Sequence, residues 1–268
     1  MKQIVLAILS NAGGVGKTTL AVHIAYGIGK LGFQVALLDL DPQRSLDVFC
    51  GLQPATVDST LVNVLSKEFQ GNWNRVAVWE ESKIEVVQGH PQLAEMANEL
   101  VIRKRGEYTL ADRLKSYPLP HHLVILDCPA TLGMLNTNAL AAATHVLVPV
   151  QLEMKAISGS AELIEWCITT ADELQLNPKP TILGFVPSMY DEKVAMHRQY
   201  LEQLPEISEN IQVKLYPKVR SSNEFKNASA YGQPLQKYRP KHPATKDFKP
   251  IIDDLAALLK DKKTKKEK

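Results

Sequence analysis

Ten residues near the N-terminus, Ser-Asn-Ala-Gly-Gly-Val-Gly-Lys-Thr-Thr at 10–19, have the make-up of a phosphate cradle. Gly13, Gly14 and Gly16, with Val15 among them, allow backbone N–H groups to converge on phosphate oxygens. A helix starting just behind them adds a favourable field. Lys17 is placed to neutralise β and γ phosphates, Thr18 to ligate Mg²⁺, and Thr19 to close the run GGVGKTT. In the strict pattern G-x-x-x-x-G-K-[ST] the first glycine falls at residue 11, and this chain has Asn11. Asparagine tolerates a left-handed backbone, so the turn is expected to survive the replacement.

Two aspartates complete the chemistry. Asp39, in Leu38-Asp39-Leu40-Asp41-Pro42-Gln43, stands where a strand ends, and carboxyl ends of parallel strands are where such folds bind ligands. From there it could orient an attacking water or a water on Mg²⁺. Asp127 ends the apolar run Leu123-Val124-Ile125-Leu126, the Walker B form whose carboxylate supports Mg²⁺ directly or through water. Each aspartate alone also fits an ordinary strand-ending turn.

These residues need a scaffold, and the apolar pattern supplies one. Ile4 to Leu9, Gln34 to Leu40, Ile84 to Gln88, Leu123 to Asp127, His145 to Val150, Thr181 to Val186 and Ile211 to Leu215 read as strands buried on both faces. Leu20, Ile24, Ile28 and Leu31 recur at helical spacing, as do Leu93, Met96, Ala97, Leu100 and Val101 behind Pro91. A closing helix carries Phe248, Ile251, Ile252, Leu255, Leu258 and Leu259 on one stripe. The expectation is one α/β P-loop NTPase domain over residues 1–260, a mostly parallel twisted sheet with helices on both faces. Residues 51–82 are the least patterned and suggest excursions at the sheet edge. Residues 261–268, lysine-rich and without apolar side chains, are expected to be a disordered tail.

Composition fits this reading. The chain has 268 residues, 45% hydrophobic and 22% charged, with a net charge of +2. No apolar run reaches the ~18 residues of a membrane span, and Ile4 to Leu9 is too short for a signal peptide core. A cytoplasmic location is expected. Cys50, Cys128 and Cys167 lie far apart, without the spacing of a zinc site or a bridging cluster, and read as small buried hydrophobes.

Taken together, GGVGKTT, LLDLDPQ and LVILDCPATLG resemble the motifs of the ParA/MinD family of deviant Walker ATPases. The segments VPVQLE (148–153), VPSMYDEK (186–193) and YPKVRSSNEF…YGQPL (216–235) are similar to its later segments, in the same order. The resemblance implies ATP with Mg²⁺, and an ATP-dependent homodimer holding both nucleotides at its interface. It implies phosphate and metal contacts from Gly13 to Thr19, hydrolysis served by Asp39, metal supported by Asp127, and adenine flanked by Met189 and Pro217. It departs at residue 12. Relatives carry a signature lysine there that crosses to the partner's phosphates; this chain has Ala12. Lys155, on a segment that borders the interface in relatives, is the expected substitute cation. The alternative makes Lys155 a solvated residue at the start of a helix near Ile157. An alanine at 12 with a lysine gained at 155 is similar to the ParA-type ATPases that distribute carboxysomes.

Charge points to a second partner. Between 218 and 249 stand Lys218, Arg220, Lys226, Lys237, Arg239, Lys241, Lys246 and Lys249 against Glu224 and Asp247. Such a cluster can neutralise DNA phosphates without reading sequence. Family members use this third of the chain for nucleoid DNA, which makes Arg220, Lys226, Arg239 and Lys241 the candidates. The family further implies a cargo-bound adaptor, here carboxysome-associated and McdB-like, that stimulates hydrolysis. Partition of a plasmid or chromosome with a ParB-type partner is the rival reading. A membrane-surface ATPase of the MinD type is another, disfavoured because the basic tail lacks the bulky apolar residues of an anchor.

Overall fold

In chain order the strands are β1 Ile4–Ile8, β2 Val35–Asp39, β3 Val76–Val78, β4 Ile84–Val87, β5 Leu123–Asp127, β6 His145–Gln151 and β7 Thr181–Ser188. The helices are α1 Lys17–Lys30, α2 Ser45–Cys50, α3 Leu61–Leu65, α4 Leu93–Ile102, α5 Thr109–Ser116, α6 Met134–Ala142, α7 Met154–Glu173, α8 Ala195–Asn210, α9 Asn223–Ala230, α10 Leu235–Tyr238 and α11 Lys249–Thr264. The computed structural model describes residues 3–264, apart from the side chains of residues 155, 156 and 262–264.

Among the described residues the strands form one sheet in the order β3-β4-β2-β5-β1-β6-β7, and every pairing except β3 with β4 is parallel. Successive side chains of a strand point to opposite faces, and both faces are covered here. Along β1, Val5 and Ala7 enter the core shared with α4, α5, α6, α7 and α8. Ile4, Leu6 and Ile8 enter the core shared with α1 and α11. The closing stripe does this work: Phe248, Ile251 and Leu255 are fully buried against α1. Leu31 and Val101, although on pattern, are exposed: Leu31 caps α1, and Val101 lies at the flank of an α4 stripe whose buried members are Leu93, Met96 and Leu100.

Two expectations need correction, and the expectation of an excursion at the sheet edge gains an element. Residues 211–215 form no strand: Ile211 caps α8, Gln212 turns through a φ of 53°, and Val213 N–H returns to Ser208 O at 2.9 Å. Only Leu215 bridges to Phe185, at the outer edge of β7. The unpatterned region hides β3, a three-residue antiparallel edge strand too short to show alternation. The last helix continues to Thr264, so residues 261–264 of the expected tail are helical, while 265–268 lie outside the described residues.

The sheet order puts β5 between β1 and β2, and thereby gathers the chemistry. The loop after β1, the end of β2 and the end of β5 emerge side by side at one edge, with Asp39 and Asp127 in register across adjacent strands.

Candidate nucleotide site

The loop is shaped by two residues in the left-handed region, Gly14 at φ 73° and Gly16 at φ 89°, where a side chain would strain the backbone. Gly16 caps α1, so the first turn of that helix, with its unpaired N–H groups, begins at Lys17. The turn survives Asn11 as expected, without Asn11 itself entering the left-handed region. Its side chain reaches sideways instead: Nδ2 donates to Gly159 O at 2.8 Å, and a Cβ on Gly159 would sit 2.5 Å from that nitrogen. The loop is thus tied to α7. Ser10 Oγ accepts from Ala12 N–H at 3.1 Å, and Ser188 Oγ donates to Val15 O at 2.7 Å, fastening both ends of the cradle. Neither serine was flagged by the motif. The Ser10 contact is local, whereas that of Ser188 depends on β7 passing beside the loop, which local sequence does not reveal.

Lys17 is 7% exposed, and its Nζ donates to Ala12 O at 3.0 Å. Burial lowers its pKa, and the nearby Asp127 acts in the opposite direction. Thr18 Oγ1 donates to Asp127 Oδ2 at 2.7 Å. Asp39 is fully buried, with Oδ1 accepting from Asp41 N–H at 3.1 Å. Burial, and then the neighbouring Asp127, raise its pKa well above the usual carboxylate range. Burial likewise pushes Asp127 up to about 7, despite the Thr18 hydrogen bond.

One oxygen on each aspartate, Asp39 Oδ2 and Asp127 Oδ1, is buried without a hydrogen-bond partner. Buried carboxylate oxygens left unpaired are costly, and a hard cation with oxygen ligands offsets that cost. The donor set fits Mg²⁺, with Thr18 and Asp127 to hold it and Asp39 beside it. Gly89, which the motifs also missed, makes room: a Cβ there would lie 3.0 Å from Asp39 Cγ and 2.9 Å from Asp39 O. Its signal is the Gly at the end of Val86-Val87-Gln88-Gly89, an otherwise apolar strand exit.

A pocket of about 390 Å³ opens from Gly16 and Thr19 and is walled by Met189, Val219, Ser222, Phe225 and Lys226. Met189 holds a φ of 56° there. Pro217 lies in the neighbouring groove with Tyr190, Lys218 and Asp247, and Arg220 lines both spaces. The structure therefore brings Met189 next to the loop, with Pro217 one groove away.

The basic candidates divide. Arg220 grips Asp247 through two side-chain bonds of 2.8 Å, and Arg239 pairs with Glu224 at 3.1 Å. Lys226 and Lys241 are exposed, with no ion pair among the described residues. Lys155 lies in the first turn of α7, which begins at Met154 rather than near Ile157; its side chain is outside the described residues. Cys50, Cys128 and Cys167 are buried free thiols.

The profile of the AAA domain family matches residues 2–181, two-thirds of the chain, including the loop and both aspartates. The chain belongs to the ParA/MinD family of P-loop ATPases. It is 28% identical over 254 residues to the sporulation initiation inhibitor protein Soj of Bacillus subtilis, covering 94% of this chain and 98% of that one. It is 29% identical over 266 residues to the chromosome partitioning protein ParA of Caulobacter vibrioides, covering 97% of each. Among solved structures, an ATP complex of Cyanothece McdA superposes with a TM-score of 0.83 at 20% identity, over 95% of this chain and 96% of that one. At that identity the likeness speaks for the fold. In this ParA-type ATPase the loop, Asp39 and Asp127 all lie within the matched residues, and residue 12 is an alanine. Among its described residues no helix is long and apolar enough to cross a membrane.

Proposed function

We propose that this ParA-type ATPase binds Mg·ATP, dimerises around it, and in that state binds DNA without sequence preference, using the nucleoid in the cytoplasm as a surface on which to position a cargo. The observation that carries the reading is the buried pair of carboxylates beside the loop, each with an unpartnered oxygen, one already bonded to the Thr18 hydroxyl. Bound Mg²⁺ would neutralise charge on the phosphates. Lys17 adds the second positive group, Thr18 and Asp127 hold the metal, and Asp39 orients the attacking water.

Lys155 is the proposed replacement for the missing cation at residue 12. The bond from Asn11 to Gly159 supports this, because it fastens α7 against the loop one helical turn beyond residue 155. Lys226 and Lys241, exposed and without an ion pair among the described residues, lead the DNA-binding candidates, while Arg220 and Arg239 would need to exchange an ion pair for a phosphate. For the cargo we favour carboxysomes, reached through a carboxysome-associated adaptor that stimulates hydrolysis. Chromosome or plasmid partition with a ParB-type partner is a second reading, favoured by relatives of that name matching nearly the whole chain.

The test is electrophoretic binding to random duplex DNA with ATP, ADP or no nucleotide. Wild type should bind with ATP alone and lose affinity steeply as salt rises, since phosphate neutralisation releases counterions. Lys155→Ala should lower ATP-dependent affinity at least tenfold. An unaffected variant removes Lys155 from the mechanism, and binding that ignores nucleotide refutes the reading.

A further inference from the structure

His23 is fully buried on α1, one turn beyond Thr19 of the loop, and both of its ring nitrogens are engaged. Nδ1 lies 2.6 Å from Thr19 O, and Nε2 accepts the Leu235 N–H at 3.0 Å. An acceptor at Nε2 requires the hydrogen on Nδ1, so Nδ1 donates to Thr19 O and the ring is a neutral, fixed tautomer. Burial, which pushes its pKa down to about 4, keeps it neutral. The His23 carbonyl accepts from Gln236 Nε2 at 3.0 Å. The ring stacks on Phe248, with centroids 4.6 Å apart, and meets the edge of Phe225 at 5.1 Å.

These contacts join two regions that sequence places more than two hundred residues apart. Phe225 belongs to α9, which also carries Lys226, and both line the pocket beside Gly16 and Thr19. Leu235 and Gln236 open α10, which leads to Arg239 and Lys241. The turn between α9 and α10 is held from its other side as well. Trp79 Nε1 donates to Gly232 O at 2.7 Å, and a Cβ on Gly232 would fall 2.5 Å from the Gly51 Cα. The segment is thus held from two sides, by His23 of α1 and by Trp79 and Gly51.

We infer that His23 is a positioning residue that locks the α9–α10 segment onto the first turns of α1, so that nucleotide occupancy beside Thr19 is transmitted to the segment's basic side chains. For its DNA readout this rests on the proposed DNA-binding function. Coupling of this kind is reciprocal: if ATP raises DNA affinity by some factor, DNA raises ATP affinity by the same factor.

His23→Phe preserves the stacking ring and removes both ring hydrogen bonds. The affinity for a fluorescent, slowly hydrolysed ATP analogue is measured with Mg²⁺, with and without random duplex DNA, on wild type and variant of matched thermal melting behaviour. Wild type should show tightening by about five- to a hundredfold, the ordinary range of such coupling. In the variant that factor should fall to near one, while affinity without DNA stays within about threefold of wild type. His23→Gln, whose side-chain oxygen can still accept from Leu235 N–H, should recover part of the factor. A folded His23→Phe protein with the wild-type factor overturns the inference. Amide exchange at Leu235 in the wild type provides a measurement independent of DNA and of variant folding. Mg·ATP should slow it at least severalfold, and no change overturns the inference. Slowing at Leu235 in a wild type that binds no DNA would instead retain the lock and refute the DNA-binding reading.

Discussion

Lys17→Ala is expected to weaken Mg·ATP binding by about 10²- to 10³-fold, measured by titration calorimetry, and to remove turnover with it. The side chain is 7% exposed and points into its own loop, where it bonds Ala12 O at 3.0 Å. Its ammonium has therefore already lost most of its water, which is why its pKa is lowered. A desolvated cation gains far more from a phosphate than a solvated one, because the local dielectric is low. Removing one member of a buried charge pair typically costs about 3–5 kcal/mol, and each ~1.4 kcal/mol is tenfold in affinity. A variant that binds Mg·ATP within threefold of wild type contradicts this assignment.

Asp39→Asn is expected to separate binding from turnover. Asparagine keeps the shape, and its side-chain oxygen can still accept from Asp41 N–H, which lies 3.1 Å from Oδ1 in the wild type. The oxygen that changes character is Oδ2, buried and unpartnered, the one available to a water. A positioned group that accepts or directs a proton contributes about 10²- to 10⁴-fold to rate. Single-turnover hydrolysis should slow by about 10²-fold or more, with Mg·ATP affinity equal to or tighter than wild type. Tightening follows from charge: two buried carboxylates in register oppose a triphosphate, and the substitution removes one of them. Equal loss of affinity and rate would assign Asp39 to holding the nucleotide rather than to preparing the water.

The nucleotide site was unusually legible in the sequence because its parts are local. The loop is contiguous, and Asp39 and Asp127 each end a buried apolar strand, so strand order alone brings them into register. The contacts that complete the site were not legible. Ser188 reaches Val15 across 173 residues, Asn11 reaches Gly159 across 148, and Leu235 reaches His23 across 212. Residue type at Asn11 was informative about the turn, which it tolerates, and silent about the tether that its side chain makes to Gly159. At 211–215 the alternation of Ile211, Val213 and Leu215 imitates a strand, yet those side chains pack beneath the end of α8, against the core that it shares with the sheet. The basic cluster was visible as composition, but only geometry separates Arg220 and Arg239, held by acidic neighbours, from Lys226 and Lys241, which have no ion pair among the described residues.

In the proposed dimer, nucleotide held by one copy is completed by charge from another. The direct test is the mass in solution of Asp39→Asn protein by light scattering, with Mg·ATP and with Mg·ADP. The expected mass is that of two chains with Mg·ATP and of one with Mg·ADP, with a return to one chain when Lys155→Ala is added. A single-chain mass with saturating Mg·ATP at every concentration tested would contradict it.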